Sequence, residues 1–215
     1  MKKKALALVL AIVLLTVAIV GGTLAYLTDT EKAENTFTVG NVDIKLYEST
    51  LHRQVDNADD DAIKADAEDY ADYLAEQGKN MVPGRWVRKA PYVENIGKNA
   101  AYVRIVVTQS DAMWQTTSMM EYTTAQQKGA ITASQGVQND DGTWTVTYTY
   151  TEPLEAGAMT YYAPIWQFQI PAELDNEDLA DWNPSENVTV TAEAIQAEGF
   201  TSAEEAFAAF DAQKQ

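Results

Sequence analysis

Residues 131–151 read ITASQGVQNDDGTWTVTYTYT, and from Thr143 onward the stretch keeps a strict period of two. Trp144, Val146, Tyr148 and Tyr150 alternate with Thr143, Thr145, Thr147, Thr149 and Thr151. Successive side chains of a strand point to opposite faces, so one face here is mostly aromatic and packs, while the other, all threonine, tolerates water. Asn139-Asp140-Asp141-Gly142 separates this run from Ile131 to Gln138, and its Asp-Gly pair supplies the positive φ angles of a tight turn. The stretch predicts an antiparallel hairpin.

Strand patterns continue on both sides of it. Towards the N-terminus, Ala101 to Thr108 is rich in β-branched residues, Asn95 to Asn99 is a polar turn containing Gly97, and Pro83-Gly84 marks another turn. Between these turns, Trp86 to Glu94 is a strand interrupted by Pro91; proline cannot donate to a ladder, so that strand belongs at an edge or bulges there. Asp111 to Gln127 is ambiguous, with a short helix around Ala112 to Met120. Towards the C-terminus, Ala158 to Ile170 reads as a strand with Ile165, Phe168 and Ile170 apolar. An irregular acidic loop from Glu173 to Glu186 precedes a last strand, Val188 to Ile195. Two overlapping capping boxes, Thr201-x-x-Glu204 and Ser202-x-x-Glu205, then open a helix with Phe207 and Phe210 on one face.

At the front of the chain, Phe37 and Val39 have one parity and Val42, Ile44 and Leu46 the other, with Gly40 between them. An extra residue at a glycine predicts a strand interrupted there by a bulge or kink. Ser49 to Asn80 breaks the β pattern. It holds DNADDD at 56–61, and then Ile63, Ala67, Tyr70, Ala71 and Leu74 at spacings of three and four. That spacing predicts an amphipathic helix of about four turns, closed by Gly78. Seven or eight strands with two helices give an all-β fold: an antiparallel jelly-roll-like β-sandwich with an inserted amphipathic helix and a short C-terminal helix. The organisation expected is a signal peptide (1–25), an N-terminal arm (26–40) and one β-sandwich domain (41–215) carrying the acidic loop and helix insertion at 49–80.

The leader follows from charge. Lys2, Lys3 and Lys4 precede Ala5 to Val20, which has no charge and one polar residue, Thr16. A basic segment followed by an apolar core is a secretory leader, and Thr23 and Ala25 put small side chains where a signal peptidase reads, so cleavage is expected between Ala25 and Tyr26. The alternative is a retained anchor, since the uncharged run from Ala5 to Ala25 is close to the roughly 20 residues that cross a bilayer. Cleavage would remove three of the 15 basic residues and none of the 32 acidic ones, taking the net charge from -17 to -20. Such a surface repels nucleic acid and anionic lipid. With no cysteine in the chain, the fold relies on its apolar core.

The residues for several chemistries are missing. His52 is the only histidine, so an H-E-x-x-H zinc protease cannot be built. A serine triad would have to use His52, and no G-x-S-x-G occurs; His52 reads as a surface histidine. Paired carboxylates for glycoside hydrolysis are open to any chain with 32 acids, so their presence selects nothing. DNADDD lacks the glycine and spacing of a calcium loop and reads as a solvated acidic loop. Asn187-Val188-Thr189 matches a glycosylation triplet but fits a strand start. Trp86, Trp114, Trp144, Trp166 and Trp182 could form a sugar platform, yet core packing accounts for them better. No catalytic, cofactor-binding or metal-binding residue is expected, and no cofactor.

Gly21-Gly22-Thr23, the alanine near the cleavage point, Tyr26-Leu27-Thr28-Asp29, Asn35-Thr36-Phe37, Gly40 and Val42-Asp43-Ile44 resemble the leader and mature start of TasA/camelysin-type proteins. Val82-Pro83-Gly84, Val93 to Gly97, Ala101 to Arg104, and Ala192 to Gln196 are similar to that group's body. The resemblance implies export by a SipW-type signal peptidase of Gram-positive bacteria and a secreted jelly-roll protein of the cell surface or biofilm matrix. In TasA-like fibres the mature N-terminal segment adds as a strand to the next subunit, by donor-strand exchange. The camelysin name also carries a protease assignment, which the missing histidines argue against here.

The expectation is therefore a non-enzymatic fibre subunit whose mobile arm runs from Tyr26 to Val39. Tyr26, Leu27, Phe37 and Val39 are its donors and Gly40 its pivot; the simpler alternative makes this arm the first intramolecular strand. Expected partners are further copies of the chain, the signal peptidase and other matrix proteins, with the membrane touched only through the leader. A monomeric surface module binding glycan, or acting as an adhesin, is the competing class, and a secreted hydrolase the third.

Overall fold

A computed structural model of the chain describes residues 28–32, 35–37, 42–79, 83–121, 123–174 and 188–214. They form strands β1 (Thr28–Lys32), β2 (Asn35–Phe37), β3 (Ile44–Ser49), β4 (Trp86–Arg88), β5 (Ala90–Asn95) and β6 (Ala101–Gln109). After these come β7 (Ser118–Glu121), β8 (Ile131–Ala133), β9 (Val137–Gln138), β10 (Trp144–Tyr150), β11 (Ile165–Gln169) and β12 (Val188–Gln196). Helices are α1 (Arg53–Asp56), α2 (Asp60–Glu68), α3 (Tyr70–Lys79), α4 (Asp111–Thr116), α5 (Thr123–Gln127) and α6 (Ala203–Ala212).

The hairpin that the threonine run predicts sits in the largest sheet. That sheet is ordered β2-β1-β12-β6-β10-β8, with β9 also beside β10. Its centre is the β6 strand, paired along its full length with β12 from Ala101↔Gln196 to Gln109↔Val188, and on its other side with β10. Val103, Ile105 and Val107 alternate inward with Val146, Tyr148 and Tyr150, and with Val190, Ala192 and Ala194. Against them pack Ile44 and Leu46 of β3, Val93 of β5 and Ile165 of β11. Each such aliphatic side chain buried is worth roughly 1.5–3 kcal/mol, so this shared core supplies the main driving force of the fold.

All of these registers are antiparallel, as expected for an all-β sandwich. The strands outnumber the seven or eight expected because the second layer is split into β4-β11-β7 and β3-β5, and because β8 and β9 are two short pieces of one edge. The split falls at Lys89, not at Pro91. Lys89 donates its N–H to the Trp166 carbonyl at 3.0 Å and turns its side chain inward to pair with Glu48, so the chain leaves one small sheet and enters the other. Pro91 faces Glu48 in the two-stranded sheet, an edge position that needs no second donor. The long strand expected from Ala158 is likewise shortened to Ile165–Gln169. Before it, the backbone instead meets β5 through Asn95 N–H to Ala158 O at 2.9 Å and Thr160 N–H to Val93 O at 2.8 Å.

The inserted helix is two helices, α2 and α3, preceded by the single turn of α1. The Asp66 carboxylate receives Ser49 Oγ, Thr50 N–H and Thr50 Oγ1, fastening the end of α2 to β3. The helix breaks at Asp69 (φ -96, ψ 1), which lets Tyr70 donate to the Arg88 carbonyl and Tyr73 accept the Arg88 N–H. Ile63 and Tyr70 are the buried anchors of the pair. DNADDD is exposed in places but tied down. Asp56 holds Arg88 and the His52 N–H, Asp59 caps α2 by accepting the Ala62 N–H, and Asp60 pairs with Arg53.

Two turn details differ from expectation. In the hairpin loop only Gly142 has positive φ, at 87°; Asn139 N–H bonds Thr143 O at 2.7 Å, which is a longer turn closed by a glycine bulge. In the ambiguous segment, Ser110 caps α4, and the chain then extends into β7 at Ser118.

Candidate assembly site

The site is an edge of the large sheet. β12, with sequence VTVTAEAIQ, is β-branched in its first half and uses alanine where the core is tight. One side of its backbone is taken by β6. The other is taken by β1, in the register Thr28↔Ile195, Asp29↔Ala194, Thr30↔Glu193, Glu31↔Ala192 and Lys32↔Thr191. The chain then reverses, and β2 pairs Phe37, Thr36 and Asn35 with Thr30, Glu31 and Lys32. Backbone N–H and C=O groups left unpaired at such an edge are costly if buried and a template for pairing if exposed. Here the N-terminal segment of the same chain satisfies them. The ladder ends at Thr191, leaving Thr189 exposed and Val188 half-buried.

Within the segment from 26 to 39, expected to be an arm, residues 28–32 and 35–37 are strand, paired within the same chain. Of the expected donors, Phe37 is the last residue of β2, opposite Thr30. Tyr26, Leu27, Val39 and Gly40 lie outside the described residues, as do the leader, Thr23, Ala25 and the cleavage bond. The residues that carry the ladder, Thr28 to Lys32, were not picked out by an apolar pattern, because TDTEK has none. Main-chain pairing is blind to that, and only the two threonines signal strand.

Above the same edge sits a charged cluster. Glu193 is 6% exposed and accepts from Arg104 Nε at 2.6 Å, while its other oxygen pairs with Lys214. Arg104 also donates to both oxygens of Asp211, one at 2.8 Å. Burial pulls the Arg104 pKa down, but its bonds to Asp211 and Glu193 outweigh this and raise it; Asp211 is held below the usual carboxylate range by Arg104.

The other residues weighed from sequence are placed as follows. His52 is buried, contrary to the surface position expected: its ring meets the edge of Trp166 at 5.8 Å, and burial lowers its pKa to about 4. Trp114 and Trp144 stack at 4.9 Å, both half-buried, and Trp144 Nε1 donates to Asp111. Trp86 and Trp166 are half-buried too, and Trp182 lies outside the described residues. Tyr148 donates to Glu121 at 2.6 Å; burial first, and then Glu121, raises its pKa far above the ordinary tyrosine value. Among the described residues no helix is long and apolar enough to cross a membrane.

Residues 1–67 match the family model described as camelysin metallo-endopeptidase. No curated protein matches the chain. The match bears out the TasA/camelysin-type resemblance over the first third of the sequence, and it supports a secreted or cell-surface protein of structural type. The metal ion that the family description implies does not fit the residues. The chain has one histidine and no cysteine, His52 is packed under Trp166, and among the described residues no three His, Cys, Asp or Glu side chains gather.

Proposed function

We propose that this chain, on the strength of its TasA/camelysin-type N-terminal third, is a secreted structural protein of the cell surface or biofilm matrix. In this reading it is a non-enzymatic fibre subunit that assembles by N-terminal donor-strand exchange. The observation that carries it is the β1 ladder on β12, because the residues next to the leader complete an edge of the main sheet. Main-chain bonds made within one copy can be remade between copies at the same register. A strand passed head to tail from one copy to the next makes a contact that does not close, so it propagates as a filament. The exchange keeps the number of ladder bonds constant, so its free energy comes from the contacts added between subunits and from concentration. In this proposal Tyr26, Leu27, Phe37 and Val39, the apolar residues of the arm by sequence, would make such contacts, with Gly40 as the pivot.

The leader directs export through a SipW-type signal peptidase, and other matrix proteins are further partners. Deleting Tyr26 to Val39 is expected to leave a folded domain that does not polymerise, as seen by circular dichroism and electron microscopy. Filaments formed by the deletion protein would overturn the proposal. A full-length mature protein that stays monomeric at high concentration and binds polysaccharide would favour the surface-module reading instead.

A further inference from the structure

The outer face of the large sheet is covered by α6. Tyr102 and Ile195 are ladder partners there, and with Ala203, Ala206, Phe207 and Phe210 they form an apolar cluster of their own. One row along, Arg104 and Glu193 are partners as well. The Arg104 guanidinium lies 4.4 Å from the Phe207 ring centroid and 5.3 Å from that of Phe210, and the Lys214 ammonium lies 4.3 Å from that of Phe210. The charged ties from this helix to the sheet therefore come from Asp211 in its last turn and Lys214 just beyond it. Lys214 meets Glu193 directly and Asp211 meets it through Arg104; Glu193 is the middle residue of the five to which β1 is paired.

We propose that α6 is a latch on the strand that receives the arm: while Asp211 and Lys214 hold the Arg104 and Glu193 pair, β12 is fixed in place, and their release lets the Thr28–Lys32 ladder open more often. Glu193 is almost fully covered and is held by two cations. Removing Lys214 takes away one of those cations, and removing Asp211 loosens the other. A buried carboxylate with a weakened partner is drawn towards water, and it carries with it the backbone that lies opposite Thr30 in the ladder. Opening of a short edge ladder is the kind of local event that such a loss promotes without global unfolding. The relevance to fibres rests on the proposed donor-strand function, but the coupling between helix and arm does not.

The test is amide hydrogen exchange on the full-length monomer, comparing the parent with Asp211→Asn combined with Lys214→Gln. Exchange of the Thr28–Lys32 amides is expected to rise by about tenfold while Ile105 and Val107 in the sheet centre stay protected. Faster exchange in 203–212 with no change in 28–32 would overturn the latch. If the double variant loosens the whole sheet, Arg104→Lys decides by the same comparison, since it keeps the charge but loses the fork onto Glu193 and Asp211. Faster arm exchange in a protein that never forms filaments would support the latch and overturn the assembly reading.

Discussion

Buried His52 makes a sharp prediction about acid. In the folded chain its pKa falls from the ordinary histidine value of 6.5 to about 4, chiefly through burial, with Asp56 pulling it up and Arg88 pushing it down. The unfolded chain binds a proton near pH 6.5 that the folded chain refuses until about pH 4, so stability rises with pH across that window and is lost as pH falls through it. At about 1.4 kcal/mol per unit of pKa difference, the loss between pH 7 and pH 4 is about 3 kcal/mol. Urea unfolding of the parent and of His52→Phe, which keeps a flat ring against Trp166, isolates this contribution. The difference in stability between the two should shift by about 3 kcal/mol over that range, whatever the carboxylates contribute to both. Parallel pH profiles, or an NMR titration placing His52 near 6.5 in the folded protein, would refute the reasoning.

The pair formed by Lys89 and Glu48 is almost completely covered, at 4% and 14% side-chain exposure, so Lys89→Ala should cost about 3–5 kcal/mol in urea midpoint measurements, and joint replacement by Met and Leu far less. A Cβ at Gly136 would overlap the Trp114 ring, so Gly136→Ala should displace that ring, lower stability by about 1–3 kcal/mol and alter the near-ultraviolet circular dichroism of the Trp114 and Trp144 stack. Subunit repulsion from a net charge of -17 before cleavage, and -20 after it, should fall with salt or acid. Light scattering of the mature protein is then expected to show faster assembly below about pH 5 and at raised ionic strength, and assembly rates independent of both would contradict that account.

Elements whose side chains alternate were legible from the chain alone: β6, β10 and β12 fall where Ala101 to Thr108, Trp144 to Tyr150 and Val188 to Ile195 predict them. The α6 cap was legible too. Ser202 accepts the Glu205 N–H, and the Glu205 carboxylate reaches back to Thr201. Periodicity records which residues share a helical face and not where the helix breaks; α2 ends at Glu68, with Asp69 as its cap and Asp66 bound to Ser49 and Thr50. His52 was misplaced for the same reason, since the ring that covers it, Trp166, comes from the far end of the chain.

What the sequence by itself determined is a set of strands with one apolar face each, a capped terminal helix, an acidic surface, and a residue inventory that lacks the ligands for a zinc protease. Those are properties of local pattern and composition, which the chain carries at every position. The tertiary structure alone decided which backbone meets which. It put polar Thr28–Lys32 on the edge of β12, broke the second layer at Lys89, and brought Asp211 onto Arg104 and Lys214 onto Glu193. Strand pairing is made by main-chain groups that are the same in nearly every residue, so a segment such as TDTEK bears no mark of its partner until an unpaired edge is there to receive it.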